Sequence, residues 1–138
     1  MKLAYEDSFT YKVLQRVESI RDNAILRQDL ADLGSPRQIS RALKTLVKLK
    51  KLVRLGYGVY GKLAENRGER YLKGGLLFTA REILDKLGVS WELSQSEKDY
   101  NTGRSTQVPV SPCTIIKSNF TRRIRYKNME FKIAKQVS

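Results

Sequence analysis

The stretch SPRQISRALKTLVKLKKLVRLGYGVYGKL, Ser35 to Leu63, decides the fold. Ser35 is a good helix N-cap, and Pro36 then sits at the first helical position, where its missing N–H costs nothing. Ile39, Ala42, Leu43, Leu46 and Val47 follow the i, i+3, i+4, i+7, i+8 spacing of a buried helical stripe. Arg37, Arg41, Lys44, Thr45 and Lys48 run along the opposite side. Beyond the helix, Leu52-Val53-Arg54-Leu55 and Val59-Tyr60-Gly61-Lys62 are rich in strand formers. Gly56-Tyr57-Gly58 separates them, which predicts a tight hairpin, because glycine reaches φ > 0 at little steric cost.

Gly56, Gly58 and Gly61 also match G-x-G-x-x-G, a phosphate-cradling spacing. In a dinucleotide site those glycines open a helix directly after a strand. Here a strand-like segment follows them, and no H-R-D or D-F-G element accompanies them as in a kinase. The glycines are read as a turn.

On the N-terminal side, Phe9, Val13, Val17 and Ile20 predict an amphipathic helix over residues 8–22 with Ser8 as its cap. Ala24-Ile25-Leu26 is a short strand, and residues 28–33 are a compact helix stopped by Gly34. On the C-terminal side, residues 65–75 form a candidate linker, and Thr79 caps a short helix with Ile83, Leu84 and Leu87 inward. Residues 94–107 are polar and loop-like. From Thr106 onward the chain alternates as strands, and Pro109 and Pro112 mark edges or irregular ends. A turn at Lys127-Asn128 would pair Ile124 with Phe131 and Tyr126 with Met129, leaving Arg123, Arg125, Glu130 and Lys132 on the other face. The expected organisation is α+β: a first domain at 1–64, a linker at 65–75 and a small helix-plus-antiparallel-strand domain at 76–138.

Charge narrows the function. Among 138 residues, 27 Lys and Arg face 14 Asp and Glu, a formal net charge of +13. The cations are segregated: residues 33–64 carry eight and no acid, and residues 100–129 carry six and no acid. Such patches attract polyanions, nucleic acid first. Histidine is absent and Cys113 is the single cysteine, which excludes His-based nucleophile pairs, the usual zinc sites and an intrachain disulfide. No catalytic residue, metal or cofactor is expected. One cysteine, no apolar leader and no long apolar run point to a cytoplasmic protein with no membrane partner.

Helix, short strand, short helix, cationic helix and hairpin, in that order, spell a winged helix-turn-helix. A helix about 10–12 Å across fits the major groove of B-DNA, and the hairpin then lies over the adjacent backbone or minor groove. Arg37, Gln38, Arg41 and Thr45 are the candidate base-edge readers. Ser35, Ser40, Lys44, Lys48, Arg54, Tyr57 and Lys62 are the candidate phosphate contacts. Arg104, Arg122, Arg123 and Arg125 form a second basic patch suited to DNA, RNA or an acidic partner.

The segment from Asn23 to Leu63 resembles the N-terminal winged-helix domain of the abortive-infection type IV antitoxins and their small plasmid- and island-borne relatives. Asp29, Gly34, Ser35, Ala42, Leu43, Leu46, Val47, Arg54, Leu55, Gly58 and Tyr60 occupy the places of the family phrase. The resemblance covers about forty residues, with a looser likeness of the later strands to the second domain of the short relatives. It implies a repressor of its own operon that binds double-stranded operator DNA, an inverted repeat bound by a homodimer being one arrangement. It also implies a nucleotidyltransferase-like toxin neutralised without a stable complex; a solitary DNA-binding regulator of a mobile element is the alternative within the same reading. The family often has a glycine between helix and wing where this chain has Lys50-Lys51. A lysine at φ > 0 costs roughly 1 kcal/mol, so a different helix ending is expected here.

Two rivals stand beside DNA binding. One is a protein-interaction adaptor built on the same fold. The other is a metal-dependent nuclease, since Glu130-Phe131-Lys132 matches half of an acid–E-x-K motif, with Asp99 as the nearest upstream acid.

Overall fold

The computed structural model describes residues 8–104, 113–117, 120 and 122–135. The expected strands at 105–112, with Pro109 and Pro112, lie outside them. The chain is mixed α+β. Helix α1 (Ser8–Ser19) leads through strand β1 (Ala24–Leu26) and a 3-10 turn (Arg27–Leu30) to helix α2 (Pro36–Lys48). Strands β2 (Leu52–Gly56), β3 (Val59–Asn66) and β4 (Glu69–Leu72) follow, then helix α3 (Gly75–Lys86). Strand β5 (Trp91–Leu93), helix α4 (Gln95–Asn101) and strands β6 (Thr114–Ile116), β7 (Arg125–Tyr126), β8 (Met129–Glu130) and β9 (Ile133–Lys135) complete it.

Strand β3 is the spine. It pairs antiparallel with β1 and β2 over its first half and with β4 over its second. All three residues of β1 are buried, because side chains alternate across a sheet that is covered on both faces. Ile25 joins Val13, Val17, Leu30, Ile39, Leu43, Leu46 and Leu52 in the core that seats α1 and α2. Ala24 and Leu26 turn to the other face, where Leu55, Val59 and Leu72 meet Ile83 and Leu84 of α3 and Ile116, Ile124, Tyr126 and Phe131.

This shared sheet corrects the expected linker. Residues 65–75 are the end of β3, a hairpin turn at Arg67-Gly68, β4 and the entry to α3. The apolar face of the first three strands needs cover, and the C-terminal residues supply it, so the two halves meet in one core. Helix α3 likewise starts four residues before Thr79. Thr79 lies buried within it and donates to the Lys73 carbonyl at 3.1 Å rather than capping it. The expected helix at 28–33 is the tighter 3-10 turn followed by bends, and α1 stops at Ser19. Part of the polar stretch after residue 93 is helical, because Ser94 caps α4 by accepting from the Glu97 N–H.

The hairpin at the C-terminus has the expected register, Tyr126 opposite Met129, with the Phe131 N–H on the Ile124 carbonyl at 2.9 Å. Ile124, Tyr126 and Phe131 are buried, while Met129 and the four charged residues are exposed. The remaining sheet has the order β5-β6-β9, with β6 and β9 parallel. Arg81 joins these parts. It donates to Glu97 at 2.8 Å and to Thr114 at 3.0 Å, and its guanidinium lies 4.7 Å from the Trp91 ring centre. Among the described residues, no helix is long and apolar enough to cross a membrane.

Candidate nucleic-acid interface

Helix α2 begins as its sequence directs. The Ser35 hydroxyl accepts from the Gln38 N–H at 3.2 Å, and the Gln38 side-chain Oε1 accepts from the Ser35 N–H at 3.0 Å. Two otherwise orphaned donors are satisfied by this reciprocal cap. The same bond engages Gln38, leaving its amide nitrogen as the group free to face a ligand. Ile39, Ala42, Leu43 and Leu46 are buried, so Arg37, Arg41, Lys44 and Lys48 point into solvent. Among the described residues none of these four cations pairs with a carboxylate. The Thr45 hydroxyl is turned back onto the Arg41 carbonyl at 3.1 Å.

Helix α2 ends against the expectation drawn from Lys50-Lys51. Lys50 itself adopts the left-handed conformation, φ 60°. The Lys51 N–H then reaches the Leu46 carbonyl at 2.9 Å and the Lys50 N–H reaches Val47 at 3.0 Å. This is the hydrogen-bond pattern that glycine ordinarily closes.

The glycine-rich stretch is a hairpin with Tyr57-Gly58 at its turn and a register shift between Arg54 and Gly56. Gly58 has φ 67°. Gly56 is required for contact instead: a Cβ there would collide with the Arg123 carbonyl. Gly61 is likewise closed off by Leu72 of β4. No helix opens after these glycines, so the strand-to-helix geometry of a dinucleotide site is absent from this segment. Tyr57 stands at the tip, 77% exposed.

Arg27, outside the expected set, joins the turn to α2. Its backbone N–H donates to the Gly58 carbonyl at 3.0 Å, and its guanidinium donates to the Pro36 carbonyl at 2.6 Å and the Ser40 hydroxyl at 2.8 Å. Ser40 is thus engaged within the protein. No periodicity marks Arg27 in the sequence; its role depends on β1 lying beside β3.

Lys62, expected among the phosphate contacts, is partly buried and turned inward. Its ammonium donates to the Ile20 carbonyl at the end of α1, and burial, with Lys73 nearby, holds its pKa below the ordinary lysine value. It serves as a tie between α1 and β3. Arg54 donates from Nε to the Gly56 carbonyl at 3.2 Å while staying exposed.

The second patch meets the first. Arg54 and Tyr57 of the hairpin, with Arg122, Arg123, Arg125 and Lys127, line an open hollow of about 580 Å³. Lys127, expected only as a turn residue, has φ 54° and joins this lining. Arg104 is exposed beyond α4 and is not among the lining residues. Of the nuclease rival's residues, Glu130 lies 3.7 Å from Arg123, and Asp99 accepts from Gln95 within α4 at 2.9 Å. Among the described residues, no group of three or more acidic or cysteine side chains is placed to hold a metal.

Comparison with protein-family models, with curated proteins and with solved structures gives no significant match for this chain.

Proposed function

We propose that residues 8–66 work as a winged helix-turn-helix, with α2 as the recognition helix and β2–β3 as the wing, and that the protein is a sequence-specific regulator binding double-stranded DNA. One observation carries the reading: α2 offers Arg37, Arg41, Lys44 and Lys48 to solvent from a face with no carboxylate partner among the described residues. Cations held apart on a rigid, well-capped helix suit a polyanion, and guanidinium groups suit guanine edges and phosphates. Arg37 and Arg41 are the proposed base readers, with the Gln38 amide beside them. Lys44, Lys48 and Tyr57 are the proposed backbone contacts. The role is binding, with no enzymatic step.

The likeness to the abortive-infection antitoxins supports a narrower form: a repressor of its own operon, dimeric on an inverted repeat, paired with a nucleotidyltransferase-like toxin that it neutralises without a stable complex. Growth arrest by the neighbouring reading frame, relieved when this chain is co-expressed, is the expected result for that form.

Fluorescence anisotropy with duplexes from the upstream region tests the DNA reading. Binding should weaken steeply between 50 and 200 mM salt through counterion release. Arg41→Ala should relax discrimination by about 1–3 kcal/mol at one base position. Lys48→Ala should weaken all sequences alike and flatten the log–log salt slope by about 1. Wild-type affinity in both variants would remove α2 from the interface.

A further inference from the structure

We propose that the hollow between the wing turn and the C-terminal hairpin is a second phosphodiester-binding site, holding the backbone of the same duplex beyond the stretch read by α2; this rests on the DNA-binding reading of α2. Five cations, Arg54, Arg122, Arg123, Arg125 and Lys127, converge on about 580 Å³. Among the described residues, the one carboxylate paired with any of them is Glu130, 3.7 Å from Arg123 and itself half exposed. Like charges gathered this closely repel one another, and a polyanion running through them relieves that repulsion.

The shape favours a strand passing through over a small ligand held inside. Pockets for small molecules enclose most of their ligand. This hollow is open, and five of its eight lining residues are Arg or Lys. It is also pre-formed. Ile124 and Tyr126 are buried on either side of Arg125, and the Arg123 carbonyl sits against Gly56, so Arg123 and Arg125 project from a seated segment. Less ordering entropy is lost when such a site binds.

Contact is continuous from α2 to the hollow. Ser40 of α2 holds Arg27, Arg27 meets Gly58 at the wing turn, and two residues earlier Gly56 carries the Arg123 backbone. A duplex laid along α2 and over Tyr57 therefore continues toward Arg122 and Arg125.

The test uses the full chain and two duplexes centred on the same footprinted operator, one of about a single helical turn and one with about another turn on each side. Arg122→Ala/Arg125→Ala alters exposed side chains, so its thermal unfolding should match wild type. On the long duplex it should lose about tenfold or more in affinity and flatten the salt slope by about 2, and on the short duplex it should bind as wild type. Arg41→Ala should change sequence preference on both lengths. Indifference to Arg41→Ala therefore refutes α2 without touching the hollow. Wild-type binding of the double variant to the long duplex, or an equal loss on both lengths, overturns the proposal. So does binding of ATP or a single-stranded oligonucleotide that the double variant loses while keeping duplex affinity.

Discussion

Lys50 closes α2 in a conformation that costs an L-residue about 1–2 kcal/mol, although the surrounding hydrogen bonds are well formed at 2.9 and 3.0 Å. Lys50→Gly removes the Cβ penalty at the expense of a more flexible unfolded chain. The expected outcome is a gain of up to about 1 kcal/mol in denaturant unfolding, with the wing register unchanged. A loss of stability would mean that the lysine side chain contributes there. The turn itself is legible from Lys50 outward, because the first strand of the hairpin begins two residues later, at Leu52. Which lysine takes positive φ depends on where β2 is anchored to β3.

At the level of elements, α3 and β1 show what one helix does for another segment's edge. Glu82 accepts from the backbone N–H groups of Asn23 at 2.9 Å and Ala24 at 3.2 Å, and Lys86 donates to the Ala24 carbonyl at 3.0 Å. Lys86 also pairs with Asp29, which accepts from the Leu26 N–H at 2.9 Å and so shapes the turn before α2. An outer strand edge is thereby covered. Burial raises the Glu82 pKa above the ordinary carboxyl range, aided by Asp22, and outweighs the two backbone donors that lower it. A carboxyl with a raised folded-state pKa holds its proton more tightly in the folded chain, so its contribution to stability falls as pH rises from about 4.3 through the raised value. Glu82→Gln keeps an oxygen acceptor and cannot ionise. Urea midpoints measured stepwise from pH 4 to 7 should therefore decline less in the variant than in wild type, and parallel profiles would argue against this role for Glu82.

The stripes of α1 and α2, the three-residue β1 and the C-terminal register at Lys127-Asn128 follow from local periodicity and turn chemistry. The linker reading of residues 65–75 fails for a physical reason. Glu65, Asn66, Arg67, Gly68 and Glu69 are polar like a linker, but they are the exposed tip of a hairpin whose stem, Leu63 opposite Leu72, is packed against the C-terminal core. Composition does not separate a solvated hairpin tip from a flexible connection. The same limit hides Arg27 and the inward turn of Lys62: a basic residue reads alike in the sequence whether it meets solvent or a helix terminus.

For the whole molecule, the consequence is mechanical unity. Ala24, Leu26, Leu55 and Val59 of the first half lie in one cluster with Ile83, Leu84, Ile124 and Phe131 of the second. A chain cut after residue 73 would expose that face of the sheet, so it should lose the single cooperative unfolding transition expected of the full chain, as followed by circular dichroism. A sharp transition of comparable midpoint in the fragment would show that the first half folds alone. Unity also bears on the proposed DNA footprint, because the seated C-terminal hairpin carries its arginines at a set distance from α2.

By itself the sequence determined the cationic helix, its capped start, the glycine-cornered hairpin beside it and the segregation of charge, since each is a property of neighbours along the chain. Tertiary structure alone decided that the C-terminal half covers the back of the first sheet, that Lys62 is spent on α1, and that Arg54 shares a hollow with Arg122, Arg123 and Arg125. Those outcomes depend on which apolar face finds which cover, and burial of that kind is settled between residues far apart in sequence.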